Sequence, residues 1–183
     1  CMMKTNDFEG AIDHFSKVTD SNDELGQYGS YYMAQCYTNT KQDKFARNTF
    51  FKAYKMNFND SISENALLNY AILSFIPGID PFNETVNVLN EYIKNNPNSI
   101  HAEELQDICV HILLKSNDYN AALECMEQYP DLSPELKKIQ SELTYSAGMQ
   151  QYKEGAYSEA LNYFKKSSQV EALFWTADTY YLL

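Results

Sequence analysis

The chain has 183 residues, 44% of them hydrophobic and 21% charged, enough to bury the core of one ordinary domain and too ordered in composition for wholesale disorder. Fourteen basic residues against twenty-five acidic ones give a net charge of −11 with no Lys/Arg cluster, which argues against a surface built to neutralise nucleic-acid phosphates. Six glycines and five prolines disfavour a turn-rich all-β design, and no apolar run approaches the ~18 residues that span a bilayer.

Apolar periodicity predicts helices at about 7–18, 24–39, 43–56, 61–75, 82–95, 100–115, 119–129, 134–153, 156–168 and 170–183. Between them stand turn signals. Asn6-Asp7, Lys41-Gln42-Asp43, Asn117-Asp118 and Glu154-Gly155 read as tight hairpin turns, and Ile76-Pro77-Gly78 with Pro81 as a longer one. Asn96-Pro97-Asn98 and Pro130–Pro134 read as the turns between hairpins.

One pattern recurs along the chain: an aromatic residue, then a small one three positions on, then a bulky apolar one four further. It reads Phe8–Ala11–Phe15, Phe82–Thr85–Leu89, Tyr119–Ala122–Met126 and Tyr157–Ala160–Phe164, with Asp43–Ala46–Phe50 as a copy that has lost its aromatic. The small residues are 35, 39, 37 and 38 apart, a near-constant period that marks an internal repeat. Offsets of three and four place each trio on one helical face, where the small residue lets another helix approach closely. A preceding helix carries its own small residue twelve positions upstream, Ala34 before Ala46 and Gly148 before Ala160. Phe174–Tyr180 repeats the size pattern of Tyr31–Tyr37.

Small-x-x-Tyr in the first helix of each pair, aromatic-x-x-Ala-x-x-x-Phe in the second, and a proline after it resemble the tetratricopeptide repeat across essentially the whole chain. Two departures stand out: a period longer than the family's 34 residues, and only Gly148 kept from the family's Leu-Gly signature. The resemblance implies an all-α fold, a right-handed α–α superhelix or solenoid of antiparallel hairpins, over 1–183 as a single domain of about five repeats (a half, four whole ones, and a half). Cys1 and Met2 align with Cys36 and Tyr37, and the last helix lacks a partner, so the expectation is a piece of a longer array with uncapped ends able to self-associate. Cys1 also fits the lipid-bearing first residue of a bacterial lipoprotein, a reading its alignment with Cys36 opposes. The divergent, long-repeat character implies a bacterial origin, with the cell envelope or periplasm favoured over the cytoplasm.

Chemistry-bearing motifs are scarce. The chain has no Gly-rich phosphate loop, no G-x-S-x-G and no H-E-x-x-H, so no enzyme activity is expected. His14 and His111 read as packing or groove residues, and His101 with Glu104 as an acidic helix start, so no metal or cofactor is expected. Glu103, Glu104, Asp107, Glu124 and Glu127 read as solvated helix faces, and Gly26 and Gly29 as turn or helix-start glycines. Cys109 and Cys125 fall on two arms of one hairpin; their spacing is compatible with a disulfide and with small buried side chains.

The expected function is non-enzymatic: a scaffold that binds a peptide or protein segment. In the resembled family the ligand meets first-helix residues that face away from the second helix. Here those positions are Tyr28, Tyr31 and Gln35, then Asn65, Leu68 and Ile72, then Glu104, Asp107 and His111, then Glu142, Tyr145, Met149 and Tyr152. Chaperone-binding members clamp a carboxylate with Lys, Arg and Asn at such sites. An acidic, aromatic lining would instead favour neutral or basic protein partners. The alternative is an assembly role, with end-to-end stacking onto further repeats or subunits.

Overall fold

A computed structural model describes residues 6–76, 84–129 and 132–183. Among the described residues the chain is all-helical: α1 (Phe8–Phe15), α2 (Glu24–Asn39), α3 (Asp43–Met56), α4 (Asp60–Ser74), α5 (Glu84–Asn95), α6 (Ala102–Lys115), α7 (Tyr119–Glu127), α8 (Pro134–Lys153), α9 (Tyr157–Lys166) and α10 (Val170–Leu182). The expected ranges hold to within three residues at the ends that are described. The Cys1–Met2 alignment, Phe82, the Pro77–Pro81 turn and Pro130 lie outside the described residues.

The chain divides into two compact units, Cys1–Ile112 and Leu113–Leu183. Within the first, α1 packs on α2, α2 on α3, α3 on α4 and α4 on α5, and α2 also touches α4. Within the second, α7 packs on α8, α8 on α9 and α9 on α10. Within each of these runs, helices adjacent in sequence are adjacent in space.

Three hairpin turns share one backbone solution. Lys41, Asn117 and Gly155 are all left-handed, with φ of 60°, 60° and 80°. In each case the following N–H reaches back five residues: Gln42 to Tyr37 O, Asp118 to Leu113 O and Ala156 to Gln151 O, at 2.9, 3.0 and 2.9 Å. Such a cap satisfies the last carbonyls of one helix, and here its final residue is already the N-cap of the next. Asn6, at φ 59°, holds the same register before α1. Asp7 and Asp118 complete their caps by accepting from the Gly10 and Ala121 N–H groups, whereas Gln42 and Ala156 make no side-chain cap bond.

The small residues do what their spacing requires. Ala11, Ala34, Ala46, Thr85, Ala122 and Ala160 are buried at the helix contacts. At Gly148 a Cβ atom would stand 2.7 Å from the Phe164 ring and 3.2 Å from Tyr163 Cβ, so α9 lies as close to α8 as a side chain's absence permits. Gly26 lies in the first turn of α2, a helix start as expected, whereas Gly29 lies one turn further in; both are buried, and a Cβ there would stand 1.9 Å from the Ser21 carbonyl and 2.6 Å from the Val18 side chain respectively.

Buried and half-buried polar groups fasten one hairpin to the next. Gln27, fully buried on α2, accepts from the Phe58 and Asn59 N–H groups at 3.2 and 2.7 Å, and its amide nitrogen reaches Ala53 O and Ser63 Oγ. Glu64 on α4 accepts from Tyr92 at 2.5 Å and from Ser99 at 3.2 Å. Ser141 on α8 accepts from the Ser168 N–H at 2.8 Å, and its carbonyl accepts from Ser167 Oγ at 2.8 Å. Gln27, Glu64 and Ser141 each stand seven residues before a small helix residue, Ala34, Ala71 and Gly148, and each holds the end or the turn of the second helix that follows. A fourth polar group, the buried Arg47 on α3, donates to Ser74, Tyr70 and Thr85 at 2.9, 3.0 and 3.1 Å. Thr85 in turn donates to Ser74 at 2.7 Å.

Cys36, Cys109 and Cys125 are buried and in no disulfide among the described residues, and the Cys109 thiol donates to Asn90 Oδ1 at 3.4 Å. Burial pushes the Cys36 thiol pKa up, which keeps it protonated and unreactive.

Two stability changes are expected. Gln27→Leu leaves the part-buried Phe58 and Asn59 N–H groups without their acceptor and should cost about 1–3 kcal/mol, read as a lower urea midpoint of circular dichroism. Ala156→Asp supplies α9 with the cap that Asp7 and Asp118 give α1 and α7. It should raise stability by about 0.5–2 kcal/mol; an unchanged midpoint would show that this turn does not need the bond.

Candidate functional site

The first-helix positions selected by register fall into three groups. On α2, Tyr28, Tyr31 and Gln35 are half-buried. Tyr31 meets Phe50 of α3 edge-on at 5.6 Å, and Tyr32, which stacks on Phe15 at 6.0 Å, lies between the Tyr28 and Tyr31 rings at 6.4 and 5.4 Å. The Tyr28 hydroxyl accepts from Asn59 Nδ2 at 3.4 Å. These rings pack helix to helix, with their edges toward solvent.

On α8, Tyr145, Met149 and Tyr152 pack against the core of Ala160, Phe164 and Ala172. Tyr152 is the most constrained. Its ring stands edge-on to Trp175 at 5.0 Å and to Tyr157 at 5.4 Å, and its hydroxyl donates to the Asp178 carboxylate. Tyr145 and Met149 also line a shallow cleft of about 560 Å³ with Lys153 and Glu154. Asn65 on α4 turns its amide back to Ser61 O at 2.8 Å, and Leu68 is half-buried.

The third group converges. Ile72 at the end of α4 and Glu104, Asp107 and His111 on α6 line one open cleft of about 680 Å³, together with Phe75, Ile100, Glu103 and Ile108. Helical spacing explains the α6 wall: residues 104, 107, 108 and 111 follow offsets of three and four and share one face. The α4 wall comes from the last turn of that helix, where Ile72 leaves 48% of its surface exposed and Phe75 lies 6.5 Å from the His111 ring. Ile100, 87% exposed just before α6, closes one end. Three carboxylates and four apolar side chains thus surround a single opening, and His101 Nδ1 stands 3.6 Å from Glu104.

Phe75, Ile100 and Ile108 were not among the expected groove positions. Phe75 and Ile100 lie just outside their helices, where helical counting stops. Ile108 follows Asp107 on the same face and was masked by its apolar character. Among the described residues no group of three or more His, Cys, Asp or Glu side chains is arranged to hold a metal ion, and no helix there is long and apolar enough to cross a membrane.

Two phenols carry strongly raised pKa values. The hydrogen bond to Asp178, with burial and the carboxylate charge, pushes Tyr152 up to about 12. Burial first, then the bond to Glu64, does the same to Tyr92, also to about 12. Each folded phenol keeps a proton that an unfolded one loses near pH 10. Their stabilisation is therefore complete below pH 10 and is lost as pH rises through 12. Tyr152→Phe and Tyr92→Phe should each remove one phenolate step near pH 12 from the ultraviolet absorbance titration; a Tyr152→Phe variant that loses a step near pH 10 instead would show that the Asp178 bond is absent in solution.

The chain matches no family model, no curated protein and no solved structure.

Proposed function

We propose that this chain is a non-enzymatic interaction module of the tetratricopeptide kind, which binds a protein segment along its first helices. One observation carries the reading: positions chosen on two separate helices by repeat register alone, Ile72 on α4 and Glu104, Asp107 and His111 on α6, line the same open cleft. Half-exposed apolar side chains beside charged rims are what a docking groove needs, since the apolar floor supplies affinity and the rim supplies selectivity.

Peptide-phage selection against the intact chain tests this. Peptides enriched on the unaltered protein should lose binding to Ile72→Ser, with helical circular dichroism unchanged. Enriched peptides that bind Ile72→Ser equally well would move the site elsewhere.

The face of α10 favours a second reading, in which the chain assembles by stacking. Leu173, Phe174, Tyr180 and Tyr181 are exposed there, and Ala177, in register with the buried Ala34 and Gly148, is exposed too. Under this reading sedimentation velocity shows mass rising with concentration, and Phe174→Ser with Tyr181→Ser abolishes the rise. A mass independent of concentration removes the reading for this chain.

A further inference from the structure

We infer, on the reading of the α4–α6 cleft as a docking groove, that its occupant is an extended segment pairing a lysine or arginine with a neighbouring aliphatic side chain. Apolar and acidic side chains share the lining, and Ile108 of α6 stands on the same helical face as Glu104 and Asp107. Ile72 and Phe75 come from the end of α4, whereas Glu103, Glu104 and Asp107 come from the first two turns of α6. Among the described residues no Lys or Arg lines the opening. Glu104 is more than half exposed beyond its contact with His101, leaving its carboxylate accessible from outside.

The geometry selects against other occupants. An acidic segment or a chain-terminal carboxylate meets three like charges. A wholly apolar segment covers Ile72 and Ile108 but desolvates the α6 carboxylates without giving them a partner. A wholly basic segment is held only by exposed ion pairs, which are weak and screened by salt. A side chain with an aliphatic stem and a cationic head, next to an aliphatic residue, satisfies both walls at once.

Fluorescence anisotropy with three labelled synthetic peptides tests the assignment at physiological salt: a lysine–leucine–serine repeat, its glutamate–leucine–serine counterpart and its lysine–glycine–serine counterpart. The first should bind, and the other two should bind roughly tenfold more weakly or worse. Glu103→Gln with Glu104→Gln should weaken the first peptide roughly tenfold. Ile72→Ser and, as a second variant at a far more exposed position, Ile100→Ser should also weaken it. Glu124→Gln with Glu159→Gln, which remove the same charge from α7 and α9, should leave binding unchanged.

Equal weakening by the α7 and α9 changes would overturn the inference, because attraction to a net charge of −11 would then explain the binding. Failure of the lysine–leucine–serine peptide to bind would overturn it as well. If the lysine and glutamate peptides bind alike and Ile72→Ser weakens both, the inference fails but the groove stands. Loss of the groove reading itself is recognised separately, by phage-selected peptides that are indifferent to Ile72→Ser.

Discussion

Gly148 shows the constraint on which the hairpins depend: where two helices must touch along their length, one position has to give up its side chain. A Cβ atom there would be forced into Phe164, which is itself fully buried, so neither partner can move aside cheaply. Ala34 and Ala46 occupy the corresponding positions of α2 and α3, and both are wholly buried. Once the approach is fixed at that point, bulky neighbours such as Phe50 and Phe164 have one place to go. The turn shared by Lys41, Asn117 and Gly155 enforces the same register from the chain side, because its back-reaching bonds leave no slack between helices. Packing and turn therefore specify the same hairpin twice.

Contact between one hairpin and the next is set differently, by buried and half-buried polar groups. An apolar contact tolerates sliding, but the Gln27 amide has its donors and acceptor engaged at fixed points on the turn after α3, and a slip of one residue would leave them all unpaired. Glu64 and Ser141 repeat the device with different chemistry, a carboxylate taking two hydroxyls and a hydroxyl taking a backbone N–H. What is common to the three is the position, and what the position requires is an acceptor.

The periodic part of this design was open to reading from the sequence. Apolar offsets of three and four, with small residues every 35 to 39 positions, located the helices and their pairing, because both signals arise from the same close approach. Polar residues in the interior were not legible. Arg47 lies beside Ala46 and reads as an ordinary helix cation, yet it is buried against Tyr70, Ser74 and Thr85; only the three-dimensional meeting of α3, α4 and α5 supplies its partners. Why Gly26 and Gly29 must be glycine was not legible for a related reason, since the Ser21 carbonyl and Val18 that exclude a side chain precede α2 in a turn with no periodic signal. Tyr31, Tyr145 and Tyr152 show the ambiguity of tyrosine: recognition and packing use the same ring, and here the rings pack against Phe50, Phe164 and Trp175.

Stability and recognition meet at the end of α4. Its last turn carries Ile72 toward the cleft and Ser74 toward the Arg47 cluster, two residues apart and on different sides of the helix. The guanidinium bonds to Tyr70 and Ser74 thereby hold the turn from which Ile72 and Phe75 project. Loss of binding on changing Arg47 would consequently say nothing about a direct contact, since the wall of the cleft would shift with the turn. Ile72, Ile100, Glu103 and Glu104 report differently: their side chains are partly or largely open to solvent, no core depends on them, and their removal alters what the cleft presents while leaving the helices in place. The Arg47 cluster thus holds the end of α4 in place, and on the proposed docking reading a fixed wall is what would let so few exposed side chains discriminate among segments.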